Sequence, residues 1–158
     1  MKKIFILLVL ATTLFGCDKD ENPQPTNPVD QLPPATQTGK NTFGCFYQLV
    51  DGEYYFSLHA YRDINKTFIA LGIGAIKKQI FQGQIYILDS KIDGNTFGIY
   101  NFGINFYTTD SIHSGELYIT KLDPINQIVS GTFWYDVIDT NGITHKIRDG
   151  RFDVNFTI

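Results

Sequence analysis

Over the last three-quarters of the chain, apolar and polar residues alternate one by one. Tyr54, Phe56, Leu58 and Ala60 share one phase, and Tyr55, Ser57, His59 and Tyr61 share the other. Tyr100, Phe102, Ile104 and Phe106 are opposed in the same way by Asn101, Gly103, Asn105 and Tyr107. The theme returns at Phe133, Tyr135 and Val137, and again at Phe152, Val154, Phe156 and Ile158. Successive side chains of an extended strand point to opposite faces, so a period of two marks strands with one buried face. No apolar stripe at helical spacing persists for three turns. The predicted fold class is all-β.

Eight strands are expected, near 42–49, 53–61, 66–73, 78–89, 96–107, 114–121, 127–138 and 143–157. Asp51-Gly52 between two alternating runs is a two-residue hairpin signal, because both central residues of a type I′ turn need positive φ. Asp93-Gly94-Asn95, Asp123-Pro124-Ile125-Asn126 and Asn141-Gly142 mark further turns. The alternation shifts phase at Gly150, as a β-bulge would make it do. Gly115, Gly131 and Gly150 each stand two residues before an apolar strand position, a repeated way of starting a strand. Short links between successive strands predict a single antiparallel meander, closed as a calycin or lipocalin-like barrel, with a two-sheet β-sandwich as the alternative.

The N-terminal part has a different texture. Lys2 and Lys3 precede the apolar run Ile4 to Leu14, and Leu14-Phe15-Gly16-Cys17 then matches a bacterial lipobox. That run is too short to span ~30 Å of hydrocarbon, which needs about 20 helical residues. Residues 1–16 therefore read as a cleaved lipoprotein signal peptide and Cys17 as the lipid-attachment residue. Three acyl chains, at about 0.8 kcal/mol per buried CH₂, anchor a protein stably where one holds it only marginally. Residues 17–40 carry five of the six prolines and few apolar residues. Such a stretch cannot offset its chain entropy by burial and is predicted to be an extended, disordered tether. The β-domain is then residues 41–158.

Charge and cysteine content narrow the function classes. The chain has 13 basic and 16 acidic residues, a net charge of −3, with no basic patch to attract phosphates. Nucleic acid is excluded as a partner on that ground. With Cys17 acylated, Cys45 is the remaining thiol, so no internal disulfide forms, and its place beside Phe43 and Tyr47 in the alternation makes it a small buried hydrophobe. His59, His113 and His145 show no ligand-like spacing. No nucleophile elbow, phosphate loop or HExxH helix is present. The sequence assigns no catalytic residue, no metal site and no cofactor. The dense charges of Arg148 to Asp153 read as a solvated strand face.

Binding is the better-supported class, because 15% of the chain is aromatic. Most phenylalanines sit in the apolar phase and belong to the core. Tyr55, Tyr61, Tyr107, Tyr118 and Trp134 fall in the polar phase, with His59 among them. A ring with a polar tip suits stacking on a sugar, gripping a peptide or closing over a small apolar ligand. These six residues are the candidate ligand contacts. Two other classes remain open: a structural or accessory lipoprotein that binds another envelope protein, and an enzyme in which the histidines converge with carboxylates.

The segment Leu32-Pro-Pro-Ala-Thr-Gln-Thr-Gly-Lys-Asn-Thr-Phe-Gly-Cys45 resembles the opening of a group of small, uncharacterised lipoproteins from Bacteroidota. Ser130-Gly-Thr-Phe-Trp-Tyr135 and Ile147-Arg-Asp-Gly-Arg-Phe-Asp-Val154 are similar to the end of the same group. The stretch Tyr47 to Asp51 departs from it. The resemblance implies an outer-membrane lipoprotein and no catalytic residues. In that lineage Lys19-Asp20-Glu21, just after the lipidated cysteine, resembles a signal for display on the cell surface, with periplasm-facing retention as the alternative. Asp110-Ser111-Ile112 resembles its three-residue O-glycosylation acceptor, which would place a glycan on Ser111.

Overall fold

The computed structural model describes residues 42–64 and 67–158. Cys17, the signal segment 1–16 and the tether 17–40 lie outside the described residues. Nine strands follow one another: β1 (Thr42–Val50), β2 (Glu53–Ile64), β3 (Thr67–Ala75), β4 (Ile85–Leu88), β5 (Thr96–Phe102), β6 (Asn105–Thr108), β7 (Gly115–Asp123), β8 (Ile128–Ile138) and β9 (Thr144–Asn155). They form one sheet in the order β1-β2-β3-β5-β4-β7-β8-β9, with β6 paired to β5 off that path. The all-β expectation holds.

The β1–β2 hairpin turns through Asp51 at φ 51° and Gly52 at φ 84°, the pair of positive values a type I′ turn requires. Its register sets Cys45 opposite Leu58 and Tyr47 opposite Phe56, and all four are buried. The expected bulge is present in β9. Phe133 faces Gly150 and Tyr135 faces Ile147, so Arg148 and Asp149 together oppose Trp134.

Three expectations are corrected. First, the chain is not a strict meander, because β4 lies between β5 and β7. It meets β5 through one parallel pair, Leu88 and Thr96. Threonine hydroxyls complete that weak seam. Thr96 donates to the Ile87 carbonyl at 2.7 Å, and Thr109 donates to the Asp89 carbonyl at 2.6 Å while accepting the Gly98 amide at 2.9 Å. Both threonines are buried. Of the expected strand 78–89 only Ile85–Leu88 is a strand. The connector before it packs onto the core through one residue. Ile80 is fully buried there, and its carbonyl accepts the Tyr47 hydroxyl at 3.3 Å.

Second, residues 96–107 are not one strand. They fold as the β5–β6 hairpin around Gly103, whose φ of 62° at the first central position fits a type II′ turn. A two-residue turn reverses the chain without breaking the apparent alternation, so phase inverts beyond it. Phe106 faces outward, and Tyr107 lies inward opposite Tyr100.

Third, the barrel is not closed. β1 and β9 share no ladder. The sheet rolls until its two edges meet at one isolated parallel bridge, where the Thr157 amide donates to the Cys45 carbonyl at 3.0 Å and the Tyr47 amide donates to the Thr157 carbonyl at 2.9 Å. A bulge bends the strand that carries it, and β9 reaches β1 only through its tail.

The interior is packed with aromatic rings seated on glycines. Tyr135 is fully buried, its hydroxyl donates to the Ile99 carbonyl of β5, and its ring lies on Gly98, where a Cβ would come within 2.7 Å of the ring. Phe152 covers Gly131 and Phe133 covers Gly150 in the same manner. Of the three glycines read as strand starts only Gly115 begins a strand; Gly131 and Gly150 lie inside β8 and β9, where they are seats for rings, as in aromatic rescue of strand glycines.

Candidate functional site

An apolar concavity lies behind the unpaired stretch between β1 and β9. Its volume is ≈ 660 Å³, and its lining is mainly Phe43, Leu58, Ala60, Leu71, Phe133, Phe152 and Val154. Ligand cavities for drug-sized molecules run from roughly 300 to 1,000 Å³ and are mostly apolar, so both size and lining suit a small apolar occupant. The register explains why these side chains converge. Ala60 stands opposite Phe43 on one side and Leu71 on the other, with Leu58 opposite Ile73 one step deeper. Phe133, Phe152 and Val154 supply the wall from β8 and β9. Phe43 is 63% exposed although it belongs to the inward phase, because no strand covers it from the β9 side.

A second depression of ≈ 380 Å³ lies beside the same opening. It is lined by Phe43, Gly44, Cys45, Phe46, His59, Asn155 and Thr157, so Phe43 and the β1 edge border both spaces. Cys45, at the back, is buried, and burial pushes its thiol up to about 12, which keeps it protonated and unreactive at neutral pH.

The six aromatic and histidine contacts read from the sequence fall into three places. Tyr118 and Trp134 come together on the outer face of β7 and β8, over a depression of ≈ 280 Å³ that also includes Ile85, Glu116, Arg148 and Arg151. The Trp134 ring is already engaged there. Its Nε1 donates to Glu116 at 3.3 Å, and the Arg148 guanidinium sits 5.2 Å from the ring centre while bonding Asp136 at 2.5 Å. That arrangement locks the bulge in place and leaves less of the ring free for a sugar.

Tyr55, His59 and Tyr61 are on the outer face of β2, away from Trp134. His59 and Tyr61 stack at 6.0 Å, and Phe68 of β3 tilts against Tyr61 at 5.5 Å. His59 alone of the six borders the opening between β1 and β9. Tyr107 is not a surface contact: it packs inward at 6.2 Å from both Tyr100 and His145. Ser111 is exposed at a loop whose shape is held by Asp110, which accepts the Ile112 and His113 amides at 2.8 and 2.6 Å.

The histidines are dispersed. His113 contacts Asp110 at 3.2 Å within the β6–β7 loop, and His145, at the start of β9, contacts Asp139 at 3.1 Å just beyond the end of β8. The Asp139 carboxyl is held below its usual range, first by the Ile143 amide it accepts and then by His145. Among the described residues no group of three or more His, Cys, Asp or Glu could hold a metal ion. No helix among them is long and apolar enough to cross a membrane.

Sequence reasoning missed the cavity walls because Leu58, Leu71, Phe133 and Phe152 carry the same apolar phase as the filled core. Periodicity identifies an inward face; it does not say whether another side chain fills the space beyond. No protein-family model matches the chain, and no curated protein or solved structure matches it either.

Proposed function

We propose that this chain is a lipid-anchored envelope protein whose β-domain is a binding module, with the cavity between β1 and β9 as its ligand site. The observation that carries this reading is that cavity: ≈ 660 Å³, walled by aliphatic and aromatic side chains, and reached past an exposed phenylalanine. Elsewhere in the interior Tyr135, Ile80, Leu117 and Val129 are fully buried. Anchoring through Cys17 and display at the outer membrane complete the proposal.

The test uses ligand-linked stability. An occupant that binds only the folded state adds RT ln(1 + [L]/Kd), about 2.7 kcal/mol at a hundredfold excess over Kd. Full-length protein is melted with 1-anilinonaphthalene-8-sulfonate and with medium-chain alkyl alcohols. Ala60→Phe places a ring in the cavity from an exposed position. The expected result is stabilisation of the native protein by several degrees and none in Ala60→Phe. Equal stabilisation of both proteins would put the ligand elsewhere, and no stabilisation of either would end the reading.

A further inference from the structure

The opening between β1 and β9 is bordered by two unpaired strand edges as well as by apolar walls. Backbone groups of alternate residues in a strand point to the same side. The Cys45 carbonyl and Tyr47 amide face β9, since Thr157 takes them both. Phe43 therefore turns its amide and carbonyl to the opening, and Cys45 its amide. On the other border the Phe156 amide bonds Gln127 of the β7–β8 loop, whereas Thr157 bonds β1. Arg151, Asp153 and Asn155 consequently turn their amides and carbonyls to the opening. Among the described residues none of these edge groups is hydrogen-bonded.

β1 also lacks the features that keep edges from pairing. Thr42-Phe-Gly-Cys-Phe-Tyr-Gln-Leu-Val50 contains no charge and no proline. Proteins protect edge strands with lysine, proline, bulges or a covering segment, and an uncharged apolar edge is a template for another strand. The bulge and the charges of Arg148, Arg151 and Asp153 lie on β9, which leaves β1 as the unprotected border. This chain's own tether is a poor occupant. Its five prolines between residues 22 and 40 remove the amides that a ladder needs, and it lacks alternating apolar residues.

We propose that the opening accepts an extended peptide segment of a partner protein, added as a strand antiparallel to both β1 and β9 and completing the ring that the isolated bridge begins. Its amides donate to the Phe43 carbonyl on one side and to the Arg151, Asp153 and Asn155 carbonyls on the other, and its carbonyls accept the amides of Phe43, Cys45, Arg151, Asp153 and Asn155. Alternate apolar side chains enter the cavity against Leu58, Ala60, Leu71, Phe133 and Val154, and the intervening side chains point to solvent. Main-chain bonds supply affinity and the pockets supply selectivity for alternating sequences. The proposal rests on the cavity being the ligand site and names its occupant.

The experiment uses full-length protein and the synthetic peptide Lys-(Thr-Val)₄-Lys, alongside the same peptide N-methylated at its threonine amides or, separately, at its valine amides. N-methylation removes backbone donors without altering the side chains. The expected results are saturable binding, at least a tenfold loss on N-methylation, and slowed amide exchange at Phe43, Cys45, Arg151 and Asp153 in the complex. Equal binding of parent and N-methylated peptides, or unchanged exchange at those four amides, overturns strand addition. If the alkyl alcohols bind and Ala60→Phe blocks them while no peptide binds, the cavity reading stands and the strand proposal falls. If Ala60→Phe fails to affect any probe, the cavity reading falls as well.

Discussion

Replacing Tyr135 with phenylalanine isolates one buried hydroxyl that ties β8 to β5 across the interior. The ring stays, so its seat on Gly98 is unchanged and no cavity opens. The bond to the Ile99 carbonyl is lost. A neutral intramolecular hydrogen bond contributes about 0.5–1.5 kcal/mol net. The Ile99 carbonyl keeps its place in the ladder opposite Gly72 of β3, so the expected loss is about 0.5–1.5 kcal/mol. In a domain of this size each kcal/mol moves Tm by roughly 3–6 °C.

Alkaline pH supplies an independent reading of the same group. Burial raises the Tyr135 hydroxyl above its ordinary value, since the phenolate cannot be solvated there. A folded pKa above the unfolded one gives stability that is complete below the unfolded value, about 10, and is lost as pH climbs past it. The loss attributable to Tyr135 is about 1.4 kcal/mol between pH 9 and 11. Phenylalanine has nothing to ionise, so the gap between native protein and variant should narrow by that amount. Urea unfolding at pH 7, 9 and 11, followed by near-ultraviolet circular dichroism, measures both effects. A deficit below 0.5 kcal/mol at pH 7, or curves that fall in parallel from pH 9 to 11, would refute the assignment of this hydroxyl as a buried interior tie.

Three further outcomes are expected. Gly103→Ala forces a side chain into the positive φ of the β5–β6 turn and should lower stability by about 1–3 kcal/mol; a urea midpoint equal to that of the native protein would show that the turn relaxes to another type. Cys45, protonated behind the β1 edge, should resist iodoacetamide at pH 8 in the folded protein and react readily in denaturant; equal rates in both states would mean the thiol is not enclosed. Cys17→Ser should move the protein from the membrane to the soluble fraction, and persistent membrane fractionation would remove the lipid anchor from the proposed function.

Local signals carried much of the architecture. Alternation at residues 54–61 and 133–137 placed side chains on the correct faces, because the buried face of a strand needs no tertiary information beyond a period of two. Asp51-Gly52 determined its hairpin, since few residue pairs tolerate two positive φ angles in succession. The shift at Gly150 announced a real bulge. Three matters belonged to the tertiary structure alone. Gly103-Ile104 turned the chain inside what reads as one alternating run, and only the pairing of Tyr100 with Tyr107 shows that phase inverts there. The position of β4 beside β7 depends on which edge offers free hydrogen-bonding groups, a choice that residues 85–88 do not encode by themselves. Whether β1 and β9 join along a ladder or touch at Thr157 depends on the twist accumulated over the whole sheet, to which every strand, the β9 bulge and a register shift in β7 between Ile119 and Lys121 contribute. That sum, and not any single residue type, is what leaves Phe43, Ala60 and Phe152 around an open cavity instead of in a filled core.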